Sequence, residues 1–167
     1  MRNCAMKCSW PVAALLCAAL VQAAHTQATS TPEERAGWAA TSHQLESNPL
    51  DPAADAQGDA ALKRVMDVHD FHVVLCTGFF NEFNGMHYTY QHVVIRQFML
   101  GAAAFQVDNP DKAGDSSATN LFAVQSVLKA YGAILASKPD AKSKLLDDLA
   151  KKQNGGKLEE EVRKACH

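Results

Sequence analysis

The sequence predicts an all-α fold, a helical bundle of five to seven helices that is closed by one disulfide. Helix-start signals recur along the chain, apolar residues repeat at three- and four-residue spacing, and two cysteines remain once an N-terminal leader is set aside. A chain of 167 residues suits one domain, because domains typically hold about 100–200 residues. We therefore expect a single helical domain over residues 31–167.

The first 23 residues have the three parts of a secretory signal peptide. A positively charged start is followed by an apolar core over residues 10–21, which is shorter than the roughly 20 residues of a membrane span, and by a small-residue cleavage site that ends at Ala23. We predict that residues 1–23 are a signal peptide and that the protein is exported, to the periplasm or the extracellular space. Residues 24–30 are small and polar, and we expect a flexible N-terminus there.

Helix-start signals mark the first two helices. Thr31 is a good N-cap, Pro32 fits the first helical position, and Glu34 completes a capping box. Asp51 and Pro52 repeat the cap-and-proline signal. The predicted inner faces are Trp38, Thr41 and Leu45 in the first helix, and Leu62, Val65, Met66 and His69 in the second.

Residues 71–83, FHVVLCTGFFNEF, fit a buried strand or a helix equally well, because a short apolar run has no period that separates the two. The chain offers no second strand to pair with it, and an isolated strand would leave its backbone groups without partners. We therefore predict a helix. Residues 87–107 follow as a long central helix, and the small residues 101–104 would let a neighbouring helix approach closely.

Three further helices follow a polar loop over residues 108–120. A long helix with a bundle seam ends at residues 137–140, a leucine-bearing helix runs to a turn at 153–156, and a last helix closes the chain. Their apolar positions are Leu121, Val124, Leu128, Tyr131 and Leu135, then Leu145, Leu146 and Leu149, then Leu158, Val162 and Cys166.

Removal of the leader leaves two cysteines, Cys76 and Cys166. Two cysteines in an exported chain are most simply one disulfide. Both have apolar surroundings, Cys76 within its apolar run and Cys166 on the apolar face of the last helix. We therefore predict a Cys76–Cys166 disulfide that ties the C-terminal helix to the middle of the bundle.

The charge of the chain limits its partners. Without the leader, 16 basic residues become 14 against 18 acids, so the formal net charge changes from −2 to −4. Binding of nucleic acid needs a basic surface, and we expect none. No apolar stretch after the leader is long and uncharged enough to predict a membrane span.

Four histidines raise the alternative of a metal-binding or small-molecule-binding bundle. His69 and His72 are three residues apart on a possible helix, and His87 and His92 are five apart on the next. Zinc sites need a third ligand and supporting carboxylates in addition to such a pair. Neither HExxH nor CxxCH occurs, so we expect no metal and no cofactor. If a metal were bound, His69 and His72 would be the first candidate ligands.

Polar residues on the predicted long helix are candidates for a partner surface. Thr89, His92 and Arg96 form a stripe at three- and four-residue spacing, flanked by Tyr88 and Tyr90. A narrow solvated edge would give the same pattern. Tyrosine and arginine are common interface anchors, which makes Tyr88, His92 and Arg96 the candidates for contact with a protein. No GxSxG, Walker or dinucleotide-binding motif occurs, and we predict a non-catalytic protein that binds a protein partner.

The C-terminal stretch from Phe122 to Cys166 carries a further pattern. A hydrophobic helix with Tyr131, a short break at Lys138–Pro139, a leucine-bearing helix and a terminal cysteine follow one another. This pattern covers about a quarter of the chain, and it resembles the C-terminal half of small exported helical proteins that act as immunity factors against cell-wall amidase effectors of type VI secretion. The resemblance implies a compact helical bundle that binds a partner, as an inhibitor or immunity factor.

Overall fold

A computed structural model describes residues 28–166, and the predicted signal peptide, residues 1–23, lies outside them. Residues 28–166 form seven α-helices and a short 3-10 turn, with no strand among them. The prediction of an all-α bundle of five to seven helices with one disulfide is confirmed. The helices are α1 (Pro32–Ser47), α2 (Pro52–Asp67), α3 (Thr77–Gly85), α4 (Gln91–Asp108), α5 (Ser116–Ser137), α6 (Lys144–Asn154) and α7 (Leu158–Ala165).

Side-chain caps begin α1 and α2 at the residues that the sequence predicts. The Thr31 hydroxyl accepts a hydrogen bond from the Glu34 N–H, and the Glu34 carboxylate accepts one from the Thr31 N–H. The Asp51 carboxylate accepts hydrogen bonds from the N–H groups of Ala53 and Ala54. These bonds satisfy N–H groups that have no partner inside the helix, which is why capping residues locate helix starts.

Helix α4 is central and packs against α1, α2, α3 and α5. It begins at Gln91, four residues later than predicted, and residues 100–106 are buried without interruption. At Gly101, an added Cβ would lie 2.9 Å from Ser126 Cβ and 3.3 Å from Ala123 Cα on α5. The predicted close approach of a neighbouring helix is therefore confirmed at Gly101.

Two hydrophobic clusters meet along α4. One is formed by α3, α5, α6 and α7 against residues such as Val94 and Phe98, and the other by α1 and α2 against Leu100 and Ala103. Because α4 contributes to both clusters, it joins the N-terminal helix pair to the C-terminal helices. Within residues 28–166, no helix is both long enough and apolar enough to cross a bilayer.

The predicted disulfide joins Cys76 to Cys166, with Cα atoms 5.1 Å apart and a separation of 90 residues. Cys76 is the N-cap of α3, and Cys166 is the C-cap of α7. Gly78, in the first turn of α3, lies directly against the carbonyl oxygen of Ala165, with no room for a side chain between them. The end of α7 is thus held closely against the start of α3.

Residues 71–76 are not helical, so the prediction of a helix over 71–83 is wrong for its first six residues and correct from Thr77 onward. The chain has extended backbone at Val68 and again at Cys76. The Cys76 N–H donates to Asn120 Oδ1 at 2.7 Å, where a helix would have used a carbonyl four residues earlier. Because the segment lies at the surface, water can form hydrogen bonds with the N–H and C=O groups of an extended chain that has no partner strand. An isolated strand is therefore possible here. Residues 68–76 are called the 68–76 segment below.

Residues 28–30 belong to the stretch 24–30 that the sequence predicts to be flexible, but they make specific contacts. The His69 N–H donates to the Ala28 carbonyl, and Arg64 Nη2 donates to the Thr29 carbonyl. The N–H and hydroxyl of Ser30 both bond to the Asp70 carboxylate. These three residues are therefore anchored, whereas residues 24–27 lie outside the described part of the chain.

Candidate functional site

Two large apolar side chains of the described residues stand out by their exposure. Met66, in the last turn of α2, is 66% exposed, and Val74, in the 68–76 segment, is 59% exposed. A single exposed apolar residue is ordinary on a protein surface, but Met66 also borders a hollow that residues of the 68–76 segment line, and contiguous apolar surface of this kind marks binding sites. The surface between α2 and the 68–76 segment is therefore the candidate site.

A groove of about 220 Å³ lies between the end of α2 and the 68–76 segment. Met66 lines its α2 side, Phe71, Val73 and Leu75 line the opposite side, and Met99 of α4 also contributes. A second hollow of about 320 Å³ shares Met66 with the first and extends along α2. The two hollows form one surface on either side of Met66, called the groove below.

Met66 is exposed because it does not lie on the face of α2 that packs against the core. Ala54, Gly58 and Val65 are the buried residues of this helix, and Leu62 is half-buried. Met66 follows Val65 by one position, about 100° further around the helix, and is exposed. The predicted inner face is therefore correct for Val65 and wrong for Met66 and for His69, which is exposed and lies after the end of α2.

The 68–76 segment is fixed at both of its ends. Arg35 Nη2 lies 3.0 Å from the Asp70 carboxylate, and the Arg35 guanidinium stacks 5.1 Å from the centre of the Phe71 ring. Burial raises the pKa of Asp70, but hydrogen bonds from Ser30 and Arg35 outweigh it and hold that pKa below its usual value. The disulfide fixes the other end at Cys76. The residues between these anchors have a defined position without belonging to a helix.

Arg96 was predicted on the partner surface, and that prediction is wrong, because the side chain is only 1% exposed. Its Nη1 donates to the Asp55 carbonyl at 2.9 Å, to Asp55 Oδ1 at 2.7 Å and to Asp59 Oδ1 at 2.9 Å. Gly58 leaves the space that the side chain fills, since an added Cβ there would lie 2.9 Å from Arg96 Nε. The guanidinium therefore holds α2 on α4 from inside.

His92 and Tyr88 lie in different places. His92 is exposed, lines the second hollow, and places Nε2 3.4 Å from Asp59 Oδ1. Tyr88 donates its hydroxyl to the Ala141 carbonyl at 3.0 Å, and its ring contacts the Tyr131 ring. Burial, with the nearby Tyr131, raises the pKa of Tyr88 to about 12. Of the three predicted contact residues, only His92 is therefore available to a partner at the groove.

The four histidines of the metal alternative are engaged separately. His69 Nδ1 donates to the Ala28 carbonyl at 2.9 Å, His72 lines the groove, His87 is exposed, and His92 faces Asp59. In residues 28–166, no group of three or more His, Cys, Asp or Glu side chains is arranged to hold a metal ion.

The outer rim of the groove is acidic. The Asp59 and Asp67 side chains line the second hollow and are 50% and 47% exposed. With Asp55, they make three carboxylates against two cations, Lys63 and Arg96. Because Arg96 lies buried behind the carboxylates, the outward-facing charge is mainly negative.

The sequence carried only weak signals of this site. Methionine beside a helix end fits a core position as well as an exposed one, and a Val–Val pair fits a buried strand as well as a surface segment. Comparison with known proteins adds no further guide, since no family model, no curated protein and no solved structure matches the chain.

Proposed function

We propose that this is an exported, non-catalytic protein that binds a positively charged protein partner through the groove. One observation carries the proposal: Met66, the most exposed large apolar side chain of the described residues, lies between two hollows that have largely apolar linings and carboxylates at the rim. Buried apolar anchors surrounded by a polar rim are the usual composition of a protein interface.

The size of the groove favours a partner side chain over a free small molecule. Pockets for small molecules typically enclose about 300–1,000 Å³, whereas the groove is divided at Met66 into hollows of about 220 Å³ and 320 Å³, one below that range and one at its lower end. A volume of that order suits one or two apolar side chains of another protein. The mostly apolar lining of the groove also favours binding of a protein partner over acid–base catalysis, because such catalysis needs several titratable groups that converge on one point.

The charge of the rim specifies the partner further. Asp59 and Asp67 lie beside the apolar carbons of Leu62 and Met66. A lysine or arginine of the partner would place its aliphatic stem on those carbons and its charged end near a carboxylate. The acidic balance of the whole chain, 18 acids against 16 bases, favours approach of a basic partner in the same way.

The role of inhibitor or immunity factor is part of the proposal and has a separate basis. It comes from the resemblance of residues 122–166 to exported immunity proteins against type VI secretion amidase effectors. Export comes from the predicted signal peptide. The immunity role and export are both inferred independently of the groove. If the partner is not an amidase effector, the proposal that the groove is the binding site still stands.

A fluorescent peptide that alternates lysine and valine over eight residues tests the groove by fluorescence anisotropy. We expect Met66→Ser to weaken binding roughly tenfold, because about 1.5 kcal/mol of apolar contact is lost. Met86→Ser is the matched control, since Met86 is half-buried and packs in the other cluster. Equal affinity of the two variants would refute the groove as the binding site.

The acidic rim has its own matched pair. Asp67 pairs with Lys63 and Asp148 pairs with Lys144, each lysine four residues earlier on its helix. We expect Asp67→Asn to weaken binding of the lysine–valine peptide several-fold and Asp148→Asn to leave it unchanged. A glutamate–valine peptide that binds as tightly as the lysine–valine peptide would contradict a basic partner.

A further inference from the structure

We propose, on the basis of the function proposed for the groove, that the partner binds by strand addition. Its basic segment lies extended beside residues 71–75 and forms main-chain hydrogen bonds with them. The partner is then a protein with an exposed, extended segment that alternates apolar and positively charged side chains. This binding mode goes beyond the existence of the groove and is tested separately from it.

The backbone of residues 71–75 has no helix, turn or bend, whereas the chain bends just before it at His69 and Asp70. Val68 has φ −84° and ψ 147°, and Cys76 has φ −70° and ψ 111°, both in the extended region. Exposure alternates over residues 71–75: Phe71, Val73 and Leu75 are half-buried, and His72 and Val74 are exposed. A period of two is the signature of an extended strand with one face on the protein.

The main-chain groups of residues 71–75 are unpaired within the described part of the chain. Among residues 28–166, the N–H and C=O groups of residues 71–75 have no hydrogen-bond partner, whereas the neighbours on each side have one. The Asp70 carbonyl accepts from Arg35, and the Cys76 N–H donates to Asn120. A row of free donors and acceptors in an anchored strand is a template for another strand.

Residues 71–75 also lack the features that protect a free edge. Exposed edge strands are usually interrupted by lysine, proline or a bulge, and FHVVL contains neither lysine nor proline. β-branched Val73 and Val74 favour the extended form and would pack against an added strand. The anchors at Asp70 and Cys76 reduce the entropy that pairing would otherwise cost.

Charge selects the occupant of this edge. A second copy of the chain would bring the same acidic rim, with a net charge of −2 on each full chain, and would be repelled. A basic strand would place alternate apolar side chains over Met66 and positively charged ones near Asp59 and Asp67. A partner helix would fill the groove but would leave the main-chain groups of residues 71–75 unpaired, because its own are used internally.

Amide hydrogen exchange measured by NMR on the protein, with and without a saturating amount of the eight-residue lysine–valine peptide, tests strand addition. In the free protein, the amides of residues 71–75 should exchange at nearly unprotected rates. In the complex, alternate amides should slow by at least about tenfold, either those of residues 71, 73 and 75 or those of residues 72 and 74. The intervening amides should stay fast, since they point away from the added strand.

Two proline variants provide the matched control. Proline removes one N–H and fits extended backbone, so Val73→Pro and Val74→Pro should both keep the fold, as checked by circular dichroism. The variant at the position that becomes protected should lose at least about tenfold in affinity for the peptide, and the other should lose much less. Equal losses would contradict strand addition.

The outcomes separate the binding mode from the proposed function. Peptide binding that depends on Met66 but slows no amide in residues 71–75 would overturn strand addition and leave the groove in place. Strong protection of these amides in the free protein, or self-association of the chain in place of peptide binding, would also overturn it. If the peptide does not bind at all, the proposed function itself is wrong.

Discussion

Replacing Gly101 by alanine tests the packing of the two central helices. Gly101 lies in α4 where α5 comes closest, and an added Cβ would meet Ser126 Cβ at 2.9 Å and Ala123 Cα at 3.3 Å. The first distance is shorter than real Cβ contacts, and neither atom belongs to a side chain that can rotate away. The helices would have to separate to admit one methyl group.

The expected cost follows from two opposing effects. Alanine in place of glycine within a helix stabilises it by about 1 kcal/mol. Overpacking of a close contact costs about 1–3 kcal/mol, and we expect the upper end here because Ser126 is held by hydrogen bonds. Ser126 Oγ accepts from Gln97 Nε2 at 2.6 Å and donates to Glu46 Oε1 at 2.7 Å. The net prediction is a loss of about 2 kcal/mol of unfolding free energy.

Gly132→Ala is the matched control, because Gly132 lies within α5 and an added Cβ would meet no atom within 4 Å. That variant should gain about 0.5–1 kcal/mol, which makes the difference between the two variants roughly 3 kcal/mol. Urea unfolding followed by circular dichroism measures both, and the dependence on urea should be the same for each. If Gly101→Ala is as stable as Gly132→Ala, the close approach of α4 and α5 is wrong.

Three further predictions concern the disulfide, a tyrosine and the buried arginine. The double variant Cys76→Ser, Cys166→Ser should lose up to about 4–5 kcal/mol of unfolding free energy, since the disulfide joins residues 90 positions apart. In that variant, the amide hydrogens of α7 should lose more of their protection against exchange than those of α4. The pKa of Tyr88 is raised from 10.0 to about 12, so the folded state retains a proton that the unfolded state loses; this contribution to stability is full below pH 10 and is lost as the pH rises to about 12. Melting temperatures from pH 9 to 12 should therefore fall less steeply in Tyr88→Phe than in the wild type. Arg96→Met should change the unfolding free energy, measured by urea unfolding, by less than about 1 kcal/mol. The reason is that Nε and Nη2 of the buried guanidinium have no hydrogen-bond partner in the described structure, and the two aspartates that pair with it are half exposed. A loss above about 3 kcal/mol would show instead that the ion pairs of Arg96 dominate.

Local signals located the helices of the N-terminal half well. The capping residues Thr31 and Asp51 act on N–H groups two or three positions away, so their effect is visible within a few letters of sequence. The disulfide was also predictable, because the predicted signal peptide contains the other three cysteines and leaves Cys76 and Cys166 as a single pair. Both inferences needed no knowledge of the tertiary structure.

The conformation of residues 71–76 depended on contacts that are distant in sequence. Asn120 takes the Cys76 N–H from 44 residues away, and Arg35 fixes Asp70 from 35 residues away. Arg96 was misplaced for the same reason, because its aspartates lie on α2 and only the absence of a side chain at Gly58 makes room for it. Periodicity along one helix contains none of this information.

The two errors in placing apolar residues coincide with the groove. Met66 was assigned to the inner face of α2 but is exposed at the groove, and Val74 was assigned to a helix but is exposed in the 68–76 segment, whose neighbouring residues Val73 and Leu75 line the groove. Sequence patterns assume that an apolar residue at helical spacing serves the core, and this assumption fails where such a residue serves a partner instead. An exposed apolar side chain contributes little to folding, but it recovers about 25 cal/mol for each Å² that a partner covers. Residues that folding does not explain are therefore the ones to substitute first in a search for binding.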